Sequence, residues 1–382
     1  MVICLRDYAE RSGASVTSKK IRVAIAGVGN CASALVQGVS YYKGKTGSEL
    51  VPGLMHTILG GYAVEDLEFV AAFDMDKKKV GKDLSEAIFA PPIALPMKIA
   101  DVPRLGVEVM MGPVLDGAPE HLRKIPAYKG TSEYVFEVSD AKPVDVADVL
   151  RSTRTEVLVN LIPTGAGRAT RYYADAAIKE AKAGFVNGIP EFIACDPEYQ
   201  RIASANGVPI IGDDVKSQVG ASILHRTLLK LFMDRGVKIK DTYQLNYAGD
   251  TDFVNLVHRG ETKEVTKLSA LESLVPYKID TSVGFGFIRA LGDCKMAIIR
   301  VRGEKFGGVP VEVEAKLTVI DGYNSAGVLI DCVRCAKIAM DRRIGGPLLS
   351  TSACFMKHPP KPLTDEVARQ MLEEFIKGKS RE

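Results

Sequence analysis

The chain has 382 residues, more than one compact core usually encloses, so two domains are expected. Hydrophobic residues make up 46% and charged residues 25%, the balance of an ordinary globular protein, and a net charge of +3 with both signs interspersed argues against a nucleic-acid partner or a membrane surface. No apolar run approaches the ~20 residues of a membrane-crossing helix, and Met1–Lys20 is charged and polar, without the apolar core of a signal peptide.

The first strong signal is Ile21–Ala32, IRVAIAGVGNCA. Ile21–Ala26 reads as a short buried strand. Gly27-Val28-Gly29-Asn30-Cys31-Ala32 fits G-x-G-x-x-A: Gly27 allows the tight turn, Gly29 lets a pyrophosphate approach the backbone, and Ala32 lets the next helix pack close. That helix, Cys31 to about Tyr41, would aim its free N–H groups at phosphates. A glycine-rich turn without a ligand is the plainer alternative; strand, turn and helix in this order favour dinucleotide binding. Gly38–Gly61 looks like an insertion. The next strand, Leu67–Asp74, ends in a carboxylate suited to ribose hydroxyls, although it lies 47 residues after Gly27 where ~20 is usual. A helix cap is the alternative for Asp74, and Asp76 is its local competitor.

A helix is expected near Val80–Phe89, then a proline-rich excursion between Pro91 and Pro126, and a short helix over Val144–Leu150. Val157–Ile162 is another buried strand, running into the small-residue turn Pro163–Gly167. Helix Ala169–Ala183, strand Gly184–Asn187, helix Pro197–Asn206 and strand Val208–Ile211 follow. Alternating strands and helices mean a parallel, doubly wound sheet of Rossmann type. Ligand groups should gather at its strand C-termini: Gly27–Asn30, Asp74, Thr164–Gly167, Asn187 and Gly212–Lys216. From about Lys238 the texture changes. Lys238–Ala248, Lys295–Val301 and Pro310–Val319 alternate like strands of a mixed or antiparallel sheet, a second α+β domain. Asn324–Asp341 and Thr364–Lys377 read as helices.

Seven scattered cysteines, Cys4, Cys31, Cys195, Cys294, Cys332, Cys335 and Cys354, fit a reducing cytoplasm. Cys332-x-x-Cys335 sits on an apolar helix face with no second pair or nearby histidine to complete a zinc site, so core packing is favoured.

Several residues could carry chemistry. Gly212-Asp213-Asp214-Val215-Lys216-Ser217 closes a strand and opens a helix, Ser217–Arg235; its carboxylates, lysine and hydroxyl suit a cofactor or cation, or Asp213 or Ser217 simply caps the helix. Asp250 and Asp252 could hold a divalent cation, though spacing favours capping. Lys263 and Lys267 at i and i+4 share a helix face, solvated or forming a double ammonium clamp for a phosphate and an oxyanion. Asp293 and Lys295 head one strand, and Asp321 ends another. Lys357 lies in an apolar, proline-stiffened loop, FMKHPP. Singly, each of these is more often structural than catalytic.

Together the stretches IRVAIAGVGNCASALVQG, AAFDMDKKKVG, FVNGIPEFIA, IIGDDVKSQVGASILHR, LNYAGDTDFVNL, TKEVTK, LGDCK and LIDCVRCAKIAMDRRIGGP resemble the myo-inositol-1-phosphate synthase family, short bacterial and archaeal type, from residue 21 to about 360. The resemblance implies conversion of D-glucose 6-phosphate into 1D-myo-inositol 3-phosphate with tightly held NAD. C5 is oxidised, C6 loses a proton, the C6 enolate attacks the C1 aldehyde, and C5 is reduced again. It implies four catalytic lysines: Lys357 and Lys295 at the C5 oxygen and its proton, Lys263 near the C1 oxygen, Lys267 near the phosphate. It implies NAD contacts at Gly27, Gly29, Asn30, Asp74, Tyr173, Ser217, Asp252, Asp293 and Asp321. A divalent or monovalent cation is left open, with Asp214 and Asp252 as candidates. The family's fold implies an NAD-binding domain of residues 1–210 plus 318–382, an inserted catalytic and tetramerisation domain of residues 211–317, and a homotetramer in the cytoplasm. Three departures stand out: Asp250 where asparagine is common, PTGAGRA where the turn is usually acidic, and a slightly short Asp252–Lys263 segment. The rival functions are a conventional NAD-dependent dehydrogenase and a non-enzymatic NAD-binding protein on the same scaffold.

Overall fold

The computed structural model describes residues 20–45, 51–123, 136–259, 264–265, 267–268, 271 and 274–382. The chain opens with β1 (Ile21–Ala26) and α1 (Asn30–Tyr41), a small hairpin β2 (Ile58–Leu59) and β3 (Tyr62–Ala63), then β4 (Leu67–Asp74), α2 (Leu84–Ala87), β5 (Val109–Met111) and α3 (Glu120–Arg123). It continues through α4 (Val146–Ser152), β6 (Val157–Asn160), α5 (Gly167–Ala174), β7 (Gly184–Asn187), α6 (Pro197–Asn206), β8 (Pro209–Ile211) and α7 (Ala221–Asp234). Next come β9 (Lys238–Ala248), α8 (Thr251–Arg259), β10 (Asp280–Phe287), β11 (Cys294–Glu304) and β12 (Pro310–Ile320). The chain closes with α9 (Asp321–Asp341), β13 (Gly346–Pro347), α10 (Leu349–Phe355) and α11 (Asp365–Ile376).

Seven strands form one sheet in the order β13-β8-β7-β6-β1-β4-β5, every pairing parallel. β6 and β7 are buried along their whole length, as uninterrupted apolar runs require when both faces are covered. One face packs against α1 and α9, the other against α4, α5 and α6. The chain passes from β1 outward to β4 and later returns on the other side of β1 with β6. The order therefore reverses at β1/β6, where a crevice opens at the strand C-termini.

The second sheet has the order β10-β9-β11-β12 and is mixed: β9, β11 and β12 are antiparallel neighbours, while β10 runs parallel to β9. Strand β10 is absent from the sequence expectations. Its DTSVGFGF carries glycines at 284 and 286 because Leu245 and Tyr247 of β9 fill the space where their Cβ atoms would stand. Helix α7 covers the inner face of this sheet around Leu229 and Phe232. From Ile320 the chain turns directly into α9, which returns to the seven-stranded sheet. Cys332 and Cys335 lie fully buried on α9, and burial pushes both thiols well up, as core packing expects.

Three helices differ from expectation. Only Leu84–Ala87 of the Val80–Phe89 stretch is helical, because Gly81 takes a left-handed φ of +84° and Asp83 caps a late start. The Ala169–Ala183 helix is α5 followed by a wider π-type turn over Asp175–Ala181. Helix α7 begins at Ala221 rather than Ser217, with Gly220 at its N-cap. No helix among the described residues is long and apolar enough to cross a membrane.

Candidate active site

The crevice above β1, β4 and β6 starts from the glycine turn. Gly27 has φ +89° and donates its N–H to the Phe73 carbonyl at 2.8 Å; a Cβ there would stand 2.5 Å from the Leu161 carbonyl oxygen. Only glycine meets both demands. A Cβ on Gly29 would meet nothing within 4 Å, so the space above the turn is open. Helix α1 has no side-chain cap and no acidic residue in its first turn, which leaves its N–H groups and dipole facing that space. Asp74 is knitted to the turn. Its Oδ2 accepts from Val28 N–H at 2.7 Å and its Oδ1 from Met75 and Asp76 N–H at 2.7 and 2.9 Å. Tyr173 is buried at the crevice wall with its ring against Phe73, and burial pushes its phenol well up.

The second turn, Pro163–Gly167, is closed by contrast. Asp116 accepts from Arg168 N–H at 2.8 Å and Ala169 N–H at 2.9 Å, so a carboxylate from elsewhere in the chain already occupies the α5 N-terminus. Thr164 donates its hydroxyl to Asp252 Oδ1 at 2.9 Å and both line the crevice. Asn187 does not: it is buried, accepts from Asn160 and donates to Asp213.

A carboxylate cluster forms the crevice's far wall. Asn30 donates from Nδ2 to Asp293 Oδ1 at 2.9 Å and to Asp250 Oδ2 at 3.4 Å, while its Oδ1 accepts from Ala94 N–H. Its side chain therefore ties the glycine turn to the second sheet's end. Asp250 accepts from Phe253 N–H at 3.0 Å, the capping role that spacing favoured. Burial, then neighbouring carboxylates, hold Asp250 and Asp293 above the ordinary carboxylate range. The same cluster, after burial itself, pushes the Cys31 thiol well up, so it is not a reactive thiolate.

Asp213 and Ser217 cap nothing. Asp213 accepts from Asn187 Nδ2 and from the N–H groups of Ile193, Ala194 and Cys195. Ser217 Oγ lies 3.0 Å from Ser325 Oγ. This correction follows from the late start of α7. Beyond Asp213, residues 213–216 pair with 355–358: His358 and Asp213 exchange backbone bonds, Lys357 N–H donates to Asp214 O at 2.7 Å, and Lys216 N–H donates to Phe355 O at 2.7 Å. The pairing delivers Lys357, whose Nζ donates to Asp214 Oδ1 at 2.8 Å and to Val215 O at 2.7 Å. Lys295, at the head of β11, pairs with Asp321 Oδ2 at 2.9 Å. Lys267 is buried, with Nζ 3.4 Å from Asn246 Oδ1. Lys263 lies outside the described residues.

Lys267, Lys295 and Lys357 line one small cavity with Ser217, Ser222 and the first turn of α7; Ser217, Lys295 and Lys357 also line the crevice. Gly220–Ile223 fall within the resemblance stretch IIGDDVKSQVGASILHR, but the sequence reading gave them no site role. Lys216 reaches the same cavity, but its Nζ is spent on Ala353 O and Asp365 Oδ1. Asp214 and Asp252 both face the crevice, and among the described residues no three His, Cys, Asp or Glu side chains gather to hold a metal ion.

Known proteins resemble this chain over most of its length. The family model for myo-inositol-1-phosphate synthase matches residues 220–322, from the N-cap of α7 to the start of α9. The inositol-3-phosphate synthase of Mycolicibacterium smegmatis is 51% identical over 369 residues, covering 94% of this chain and 98% of the relative. That of Corynebacterium glutamicum is 48% identical, covering 94% and 99%. A solved myo-inositol-1-phosphate synthase-related protein from Thermotoga maritima is 25% identical with a TM-score of 0.76, covering 94% and 98%.

Proposed function

This chain belongs to the myo-inositol-1-phosphate synthase family, and from that premise we infer that it closes D-glucose 6-phosphate into 1D-myo-inositol 3-phosphate. The observation that carries the reading is the cavity where Lys267, Lys295 and Lys357 meet beside the dinucleotide crevice. Binding a dinucleotide does not call for three ammonium groups. A substrate with a dianionic phosphate, which passes through an enolate and an alkoxide, does, because each anion needs a fixed cation or donor in a water-poor site.

The family generally uses NAD, and the crevice fits it: an open glycine turn, an uncapped α1, and Asp74 at the second strand's end. Bound there, the nicotinamide would take hydride from C5 and return it, leaving no net redox change. The chain's own groups do the rest. The first-turn N–H groups of α7, uncapped and without an acidic neighbour, seat the phosphate together with Lys267. Lys357 and Lys295 stand at the C5 oxygen and its proton, each held in place by a carboxylate, Asp214 and Asp321. Lys263 takes the C1 oxygen. Gly27, Gly29, Asn30, Asp74, Tyr173, Ser217, Asp252, Asp293 and Asp321 surround the cofactor. A divalent or monovalent cation between Asp214 and Asp252 would need further oxygens from the bound ligands, since Asp214 serves Lys357 and Asp252 takes the Thr164 hydroxyl; no step above runs through it. The same proposal assigns residues 1–210 with 318–382 to the NAD-binding domain and 211–317 to the catalytic and tetramerisation domain, in the cytoplasm.

Phosphate NMR of the protein with NAD and glucose 6-phosphate, with and without chelator, tests this. The inositol phosphate resonance should replace that of the substrate while the NADH absorbance stays flat. Steady NADH growth without inositol phosphate would identify a conventional dehydrogenase, and no turnover at all a binding protein. Loss of product with chelator alone would establish the cation.

A further inference from the structure

Three lysines follow one another after β4. Lys77 is exposed, Lys78 half-buried, and Lys79 buried at the crevice wall. A buried ammonium is costly unless its hydrogen bonds are made. The chain folds this one inward: the N–H groups of Lys79 and Val80 donate to the Asp76 carbonyl at 2.9 and 3.0 Å, closing a turn. Lys79 Nζ then donates to the Val28 carbonyl of the glycine turn at 2.6 Å and stops 3.9 Å from Asp74 Oδ2.

Val28 is thereby held at both of its peptide groups. Its N–H donates to Asp74 Oδ2 at 2.7 Å and its carbonyl accepts from Lys79, one residue beyond the Gly27 N–H that donates to Phe73 O. The parallel pairing of β1 with β4 ends at Ala26 and Phe73, so these bonds carry it on into the turn. The plainer role for Lys79 is to neutralise a buried carboxyl. Asp76 is fully buried, and burial pushes it up to about 6 against the Lys78 N–H bond and the Lys79 charge. Yet Asp76 Oδ2 takes no hydrogen bond among the described residues, and the short bond from Lys79 goes to a carbonyl. Asp74 already accepts three backbone N–H groups, out of a carboxylate's roughly four acceptor positions. An ammonium at bonding distance would fill the last. At 3.9 Å Lys79 offsets the charge and leaves that position to a ribose hydroxyl.

We propose that Lys79 is a positioning residue for the adenosine half of the coenzyme: its ammonium fixes the Val28 carbonyl, and with it the glycine turn, while standing back from the Asp74 acceptor that takes the ribose. The inference rests on the crevice holding NAD, and its test separates the two.

Calorimetry and competition binding on the full chain, freed of bound coenzyme, would compare NAD, ADP-ribose, AMP and adenosine as probes in the parent, Lys79→Met and Lys79→Gln. We expect Lys79→Met to weaken every probe by a common factor of about tenfold, since the seat they share is displaced. KM for NAD should rise by the same factor, with the turnover number at saturating NAD within about threefold and KM for glucose 6-phosphate unchanged. A lower melting temperature with parental affinities would mark a merely structural cation and overturn the role. Weakening of the phosphate-bearing probes alone would overturn it too, since Lys79 would then be a direct phosphate ligand. Should Lys79→Met not fold, Lys79→Gln decides. Its amide falls a bond short of the Val28 carbonyl, so a severalfold loss of affinity supports the role and parental affinity overturns it. If the parent binds neither NAD nor ADP-ribose, the coenzyme reading itself fails and the inference with it.

Discussion

Lys295 sits between the Asp321 carboxylate at 2.9 Å and the Phe253 ring at 6.0 Å, nearly buried at the head of β11. Removing its ammonium deletes a group from the reacting end of the cavity while leaving Asp321 partly solvated at the helix start. Lys295→Ala should therefore lower the turnover number on the order of a thousandfold, with the melting temperature within about 3 °C of the parent. Unchanged turnover would remove Lys295 from the machinery. His225 gives a prediction of another kind. Its pKa in the fold is depressed to about 4, below its ordinary value, so between pH 6.5 and 4 the unfolded chain binds the extra proton. Stability is then fully present above pH 6.5 and is lost as the pH falls through that window, by roughly 3 kcal/mol in total. Denaturant titrations across this range should show the slope in the parent and a shallower one in His225→Gln.

At the scale of elements, the α7 entrance is pinned from behind. Lys216 and Arg226, both buried, converge on Asp365 at 3.1 and 2.8 Å, which ties α7 to the start of α11. Asp365→Ala would strand two buried cations. Because Asp365 itself is half-exposed, the loss should be about 2–3 kcal/mol, a fall of roughly 5 °C in thermal denaturation. None of this was legible in the sequence, where Lys216 stood beside two aspartates and read as a ligand group. Its partner lies 149 positions away. The same limit applies to Asp213, whose bonds go to a loop folded back from Ile193–Cys195. What was legible were elements whose signals are local. β1 and β4 have the bounds that their apolar runs predict, and Gly27 occupies the left-handed turn that its motif requires. β10 escaped because two of its residues are glycines shaped by β9 rather than by a pattern of their own.

At the scale of the whole molecule, the outer face of the second sheet is the surface on which the proposed assembly would form. Leu245 and Tyr247 of β9 lie beside Ile298 and Met296 of β11, all four half-buried within one chain, and Tyr243, Arg300, Glu312 and Glu314 border them. The proposed homotetramer would cover this strip, so light scattering should give four chains. Leu245→Glu together with Ile298→Glu should give smaller species; a monomeric parent would remove the proposal. The pairing of residues 355–358 with 213–216 has a consequence for synthesis on the ribosome. The glycine turn is translated early, and Lys357, which we propose meets the sugar's C5 oxygen, far later. Because α9 and β13 also pack on or join the seven-stranded sheet, the late part of the chain completes the coenzyme crevice and delivers its ammonium in one step.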